Sequence, residues 1–263
     1  MATGNTRKIK LIVADLDGTI SISKQHIDKE MSNLLGELLK YKDFALISGG
    51  SYNQFRNQFL DGLKIGEDAS RLSRLYLFPT CATSMYVTRN GSWKKLYGEK
   101  LPTNVKKEIY SALDKALAEC NFKKPGTIYG ELVEDRETQV TFSALGQLAP
   151  IELKQEWDPQ RLKRKRILKH LAKHLPKGYV AKIGGTTSID VTKKGIDKAY
   201  GIRKIMEKLG YGRSEILFIG DMLQKGGNDY PVKATRVRCM EVKNPEETKT
   251  IIRAIISESA GQK

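Results

Sequence analysis

Leu11-Ile12-Val13-Ala14-Asp15-Leu16-Asp17-Gly18-Thr19 is the stretch on which the reading of the whole chain turns. Four apolar residues entered from basic ones and closed by an acidic turn are the pattern of a buried strand. The spacing therefore predicts a strand over 8–14, with Asp15 and Asp17 at its C-terminal end. Two carboxylates in one tight loop, beside backbone N–H groups, can cradle a hard cation. Magnesium held there would offset the repulsion between an attacking carboxylate and a phosphoryl group. In that chemistry one aspartate attacks and the other moves the proton. The competing reading is an Asx-type turn ahead of a helix.

Downstream, Ile27, Met31, Leu34, Leu35, Leu38 and Leu39 have helical spacing, and 44–47 is a short apolar strand closed by Ser48-Gly49-Gly50. Strand, helix and strand imply a parallel βαβ unit. Ligands of such open sheets bind outside the carboxyl ends of the strands, where Asp15 and Ser48 fall. The pattern resumes with a strand at 189–191, a helix over 198–209 and a strand at 216–219 closed by Gly220-Asp221. Between these stretches lie a turn at Asn90-Gly91, a helical stretch over 103–119, strand-like alternation at 138–142 and a basic helix over 161–173. The expected class is α/β: a core from 1–85 and 188–263, split by an inserted α+β unit over 86–187.

Three scattered cysteines argue against a disulfide framework and against a CxxC metal site, and so point to a reducing compartment. The first ten residues contain no apolar leader, and no apolar stretch approaches the ~20 residues that span a bilayer. A soluble, cytoplasmic protein with no membrane partner is expected. The net charge of +16 favours anionic partners. Part of it is local: residues 151–182 hold ten Lys/Arg against three Asp/Glu. There Leu162, Leu168, Leu171, Ala172 and Leu175 make an apolar stripe, so a solvated amphipathic helix is expected rather than a nucleic-acid patch. His170 and His174, at i and i+4, show no third metal ligand, and Trp93 and Trp157 are expected to pack within the insertion.

Three further features bear on the acidic turn. Ser48-Gly49-Gly50 offers a hydroxyl and N–H donors at a strand end. Lys198 opens a helix and can set positive charge on a transferring phosphoryl group. The loop Gly220-Asp221-Met222-Leu223-Gln224-Lys225-Gly226-Gly227-Asn228-Asp229 places carboxylates at another strand end, with glycines that let backbones approach.

In this order the motifs resemble the haloacid dehalogenase (HAD) superfamily, and within it the eukaryotic-type phosphomannomutases. The further markers are Gly184-Gly185-Thr186-Thr187-Ser188-Ile189-Asp190-Val191 and the segment 195–198. The resemblance implies a Rossmann-like HAD core with an inserted C2B-type cap that recognises substrate. It implies Asp15 as nucleophile and Asp17 as general acid/base. Ser48, Gly49 and Lys198 would hold the phosphoryl group. Asp15, Asp17 (through its carbonyl) and Asp221 would bind Mg2+, supported by Asn228 and Asp229. Arg136, Ser188 and Asp190 fall where such enzymes contact the sugar phosphate, and pairing through the cap into a homodimer is implied. Lys24, Gln147 and Lys154 stand where the resembled enzymes carry arginines; fewer bidentate donors weaken a second phosphate site. The expectation is therefore a magnesium-dependent phosphatase acting through an aspartyl-phosphate on a small phosphorylated metabolite such as a sugar phosphate. Phosphomannomutase or phosphoglucomutase activity is the alternative, and a non-catalytic nucleic-acid-binding protein a remote third.

Overall fold

A computed structural model describes residues 7–22, 25–64 and 69–261. Its strands are β1 (Leu11–Asp15), β2 (Asp43–Ile47), β3 (Leu75–Phe78), β4 (Ser84–Arg89), β5 (Ser92–Gly98), β6 (Val133–Asp135), β7 (Val140–Ser143), β8 (Tyr179–Gly184), β9 (Ser188–Lys193), β10 (Ile216–Gly220) and β11 (Arg238–Glu241). The chain forms two compact units, one from Met1–Tyr97 with Ile196–Lys263, the other from Gly98–Gly195.

In the first unit the sheet order is β11-β10-β1-β2-β3-β4-β5. The strands from β11 to β3 run parallel, and β4 adds antiparallel to β3. β1, β2 and β10 are buried along their whole length, which is why their sequences are continuous apolar runs rather than alternations. One face packs Ile12, Ala14, Phe44 and Leu217 against Met31 and Leu35 of the helix Lys29–Leu38 and Ile252 and Ile255 of the helix Pro245–Ala260. The other packs Leu11, Val13, Ala45 and Phe218 against Ile202 and Ile205 of the helix Lys198–Leu209. Side-chain caps set the helix starts: Asp28 accepts from Met31 N at 2.8 Å and Asp197 from Tyr200 N at 2.9 Å.

The second unit is α+β. Its sheet runs β6-β7-β9-β8, antiparallel throughout. Val140, Phe142, Ile189 and Val191 face the helices Thr103–Glu119 and Leu162–His174, and pack against Ile109, Leu113, Ile167 and Leu171. The two-residue period then puts Thr141, Ser143, Ser188 and Asp190 on the opposite face.

The α/β core and the inserted α+β unit match the expected class, while several details differ. The β4–β5 hairpin turns at Asn90-Gly91, whose φ of 51° and 71° suit a tight primed turn, and it extends the first unit's sheet. β9, expected to resume the core pattern, pairs instead with β7 and β8, so the second unit spans Gly98–Gly195 rather than the expected 86–187. Trp93 accordingly packs on the first unit's core, and Trp157 on the second's. On the basic helix Leu162 is exposed and Arg164 is buried, because Arg164 has a buried carboxylate to meet. His170 Nδ1 and His174 Nε2 lie 2.7 and 2.6 Å from the two oxygens of Glu119, so they clasp the neighbouring helix rather than stand in solvent. No helix among the described residues is long and apolar enough to cross a membrane.

Candidate active site

β1, β2 and β10 are adjacent and parallel, so their C-terminal ends lie at one edge of the sheet. Asp15 is the last residue of β1, Ser48 follows β2 and Asp221 follows β10. Topology alone therefore gathers residues that are 33 and 206 positions apart from Asp15 in sequence. Lys198 comes from the other direction, as the first residue of its helix. Its buried ammonium lies 2.7 Å from Asp15 Oδ1 and is ion-paired with Asp229.

The 222–229 loop brings Asp229 back under the sheet end. Asp229 N donates to Met222 O at 3.2 Å, and Asp229 Oδ2 accepts from Met222 N at 3.0 Å. The closure depends on Gly227, where an added Cβ would lie 2.0 Å from Met222 O. Asp15, Asp221 and Asp229 each bring an oxygen within 4.8 Å of the others. Asp221 Oδ1 is buried with no hydrogen-bond partner among the described residues. Orphaning a buried carboxylate oxygen is costly, so this group needs a positive partner. An all-oxygen set suits a hard divalent cation, and the residues present therefore fit Mg2+.

Burial pushes the Asp15 carboxyl well above the usual carboxylate range, with Asp229 and Asp17 adding to the shift and Lys198 opposing it. Burial raises Asp221 to about 6, with Asp229 contributing. Burial works against a charged Lys198, but Asp15 and Asp229 outweigh it and hold the ammonium above its ordinary value. The pocket is thus short of positive charge even with Lys198 in it.

Asp17 stands apart from the three-carboxylate group. Its oxygens accept from Gln58 Nε2 at 3.1 Å and Gln54 Nε2 at 3.4 Å. Ser48 Oγ accepts from Gly50 N at 3.2 Å, and Cys81 N donates to Ser48 O at 2.8 Å. The supporting segment is unusual: Thr80, Cys81 and Ala82 are all left-handed, with φ of 48°, 55° and 64°. Three consecutive non-glycine residues in that region are strained, and strain of this kind concentrates where a fixed geometry is needed. Asn228 is exposed, one residue ahead of Asp229. Lys24 lies outside the described residues.

The second unit holds its own polar group. Thr141 Oγ1 donates to Asp190 Oδ1 at 2.7 Å, and the hydroxyls of Ser143 and Ser188 meet at 2.8 Å. Gln147 Nε2 donates to Ser143 Oγ at 2.9 Å, while Gln147 Oε1 accepts from Arg136 at 3.3 Å. Arg136 also pairs with Glu134 at 2.6 Å. Lys154 is buried, and its ammonium donates to Gln147 O at 2.8 Å. The loop ahead of Ser188 is anchored by Arg164, which donates to Gly184 O at 3.2 Å and Gly185 O at 2.7 Å and pairs with Asp158 at 2.9 Å.

Gln54, Gln58, Thr141, Ser143 and Arg164 are site residues that no sequence motif marks. Two had a signal: Gln54 and Gln58 are spaced i, i+4 directly after the Ser48-Gly49-Gly50 turn. Arg164 shares a helix face with Ile167 and Leu171, where a charge implies a buried partner.

A family model described as eukaryotic phosphomannomutase matches residues 31–258. The chain belongs to this family. A phosphomannomutase of Encephalitozoon cuniculi is 25% identical over 248 residues, covering 90% of each chain. Among solved structures, an IMP-bound IMP-nucleotidase of Plasmodium falciparum superposes with a TM-score of 0.69 at 18% identity, covering 97% of this chain and 68% of that one. A haloacid dehalogenase-like hydrolase from Bacteroides thetaiotaomicron gives 0.59 at 15%, covering 95% and 99%. The phosphomannomutase family makes the chain an HAD-type phosphotransferase, and the two solved structures share its fold. The family match begins after the Asp15–Asp17 turn, so the standing of that turn rests on the geometry above.

Proposed function

We propose that the chain is a phosphomannomutase-type enzyme that moves a phosphoryl group between positions of a hexose phosphate through Asp15. The observation that carries this reading is the buried Asp15 carboxylate, 2.7 Å from the Lys198 ammonium, within a carboxylate group set at adjacent strand ends. Asp15 attacks phosphorus and the bond from phosphorus to the sugar oxygen breaks. Asp17, oriented by Gln54 and Gln58, gives a proton to the leaving oxygen and later takes one from the incoming hydroxyl. Ser48, Gly49 and Lys198 hold the phosphoryl oxygens, where preorganised donors are most effective. Bound Mg2+, held by Asp15, the Asp17 carbonyl and Asp221 with Asp229 in support, would supply charge neutralisation between carboxylate and phosphate. In the second unit, Arg136, Ser188 and Asp190 bind the non-reacting end of the sugar phosphate. Similarity over 90% of each chain to a named phosphomannomutase supports the mutase over the hydrolase.

Hydrolysis is the second reading, and Gln147 and Lys154 favour it. Lys154 is spent on a backbone carbonyl and Gln147 carries no charge, so Arg136 is the one guanidinium of that group. A weaker hold on a bisphosphorylated sugar lets water take the phosphoryl group. The test supplies mannose 1-phosphate, magnesium and a hexose bisphosphate, and scores the 6-phosphate and free phosphate separately. Isomerisation outpacing phosphate release is expected, and Asp15→Asn should abolish both; free phosphate as the sole product would reassign the enzyme as a phosphatase.

A further inference from the structure

The first unit carries a cationic feature at the opposite edge of its sheet from the carboxylate group. Arg203 and Met206 of the helix Lys198–Leu209, Arg213 at the turn entering β10, and Ala234, Thr235 and Arg236 at the turn ahead of β11 line a surface cavity of about 420 Å³. Asp15 ends its strand and Asp221 follows its own, whereas Arg213 and Arg236 precede theirs, and all these strands are parallel. A five-residue strand spans roughly 16 Å, so the cavity is separate from the carboxylate group.

Three guanidinium groups line this cavity and no carboxylate does. None of the three side chains makes a hydrogen bond or ion pair among the described residues. Elsewhere on this surface cations find acids: Lys10 pairs with Glu215, and Lys204 and Lys208 with Glu207. Arg236 is moreover left-handed, with φ of 61°, at a helix end where glycine or asparagine is favoured. Its guanidinium is thus placed at some conformational cost.

We propose that this cavity binds a small organic phosphate, independently of the phosphoryl-transfer site. Guanidinium forks match phosphate oxygens two at a time, and an anion of charge two or more relieves the mutual repulsion of the three arginines. Met206 and Ala234 give the organic part an apolar wall. The volume lies in the range of about 300–1,000 Å³ typical of small-molecule sites. A nucleic-acid strand would instead require an extended cationic track to neutralise successive phosphates. Because the helix Lys198–Leu209 carries Arg203 and Met206 here and Lys198 at its other end, an occupant would also brace the element that delivers Lys198.

The test is calorimetric titration of the full chain with inorganic pyrophosphate and with ADP, in excess EDTA so that no metal-dependent site contributes. Binding is expected, with Arg203→Ala/Arg236→Ala raising Kd about tenfold or more, consistent with loss of charge-assisted pairs. The double variant should keep the wild-type phosphoryl-transfer rate measured without added pyrophosphate, which shows that it folds. Ser48→Ala should leave the affinity unchanged. No heat of binding to the wild type, an affinity that survives the arginine substitutions, or one that falls with Ser48→Ala would each overturn the proposal. So would an oligonucleotide that binds these arginines more tightly than either small phosphate.

Discussion

Gly18 and Asp221 compete for one space: a Cβ on Gly18 would lie 2.4 Å from Oδ2 and 2.9 Å from Cγ of Asp221. The first acidic turn is therefore shaped around the last one. Gly18 also has a φ of +82°, where a side chain costs about 1–2 kcal/mol. Gly18→Ala should displace the Asp221 carboxylate, and the magnesium concentration for half-maximal activity should rise about tenfold or more, as for other residues that orient metal ligands. Titrating activity with magnesium checks this. An unchanged half-saturation point would mean that Asp221 does not hold the ion.

Lys198 has a second measurable role, in stability. Buried beside Asp15 and Asp229, it is the ammonium that balances two carboxylates away from solvent. Lys198→Met keeps much of the volume but strands the charges, and breaking a buried pair this way costs about 3–5 kcal/mol. Urea unfolding without metal should show that loss, and added magnesium should recover part of it. Lys198→Arg should not restore activity, since a planar fork does not fit the space of a point charge. Stability within about 0.5 kcal/mol of wild type would contradict the pairing.

The core was legible because its determinants are local and periodic. Apolar runs such as Leu11-Ile12-Val13-Ala14, too short for a buried helix and closed by turn residues, read as strands covered on both faces, and strand ends marked by Asp15, Ser48 and Asp221 follow from parallel topology. The insertion was less legible. Ile189 to Val191 reads as a strand in either sheet, and which one it joins depends on pairing with Phe142, a long-range choice invisible to periodicity. Arg164 shows the other limit: the net charge of its helix masked one arginine turned inward, because Asp158 lies outside that helix.

Arg164 and Asp158 give a pH-dependent stability. Burial raises the Asp158 carboxyl, but the Arg164 side chain and the backbone N–H groups of Arg164 and Lys163 outweigh it and hold the value below the usual one. A carboxyl lowered in the folded state stabilises above its unfolded value of about 3.9, and that contribution is lost as pH falls through the folded value. Arg164→Met should cost about 3–5 kcal/mol at neutral pH and flatten the decline in stability below about pH 4. It should also raise KM more than it lowers kcat, since it frees the Gly184 and Gly185 carbonyls ahead of Ser188. A parallel pH profile in variant and wild type would remove the linkage.

Gln147 is the position from which the two proposed outcomes of phosphoryl transfer can be pushed apart. It sits between Arg136 and Ser143 as a neutral amide, and Glu134 already occupies part of Arg136. Gln147→Arg adds a second guanidinium beside the first, and two forks grip a phosphate more firmly than one. The cost is repulsion between the arginines in the free enzyme, which a bound phosphate removes, so the gain falls on the bisphosphorylated sugar rather than on the protein alone. A hexose bisphosphate should bind about tenfold more tightly, and the ratio of isomerised sugar to free phosphate should rise in step. An unchanged ratio in a variant that melts like wild type would show that the second phosphate is held by residues other than this group, and that Gln147 does not set where the phosphoryl group goes.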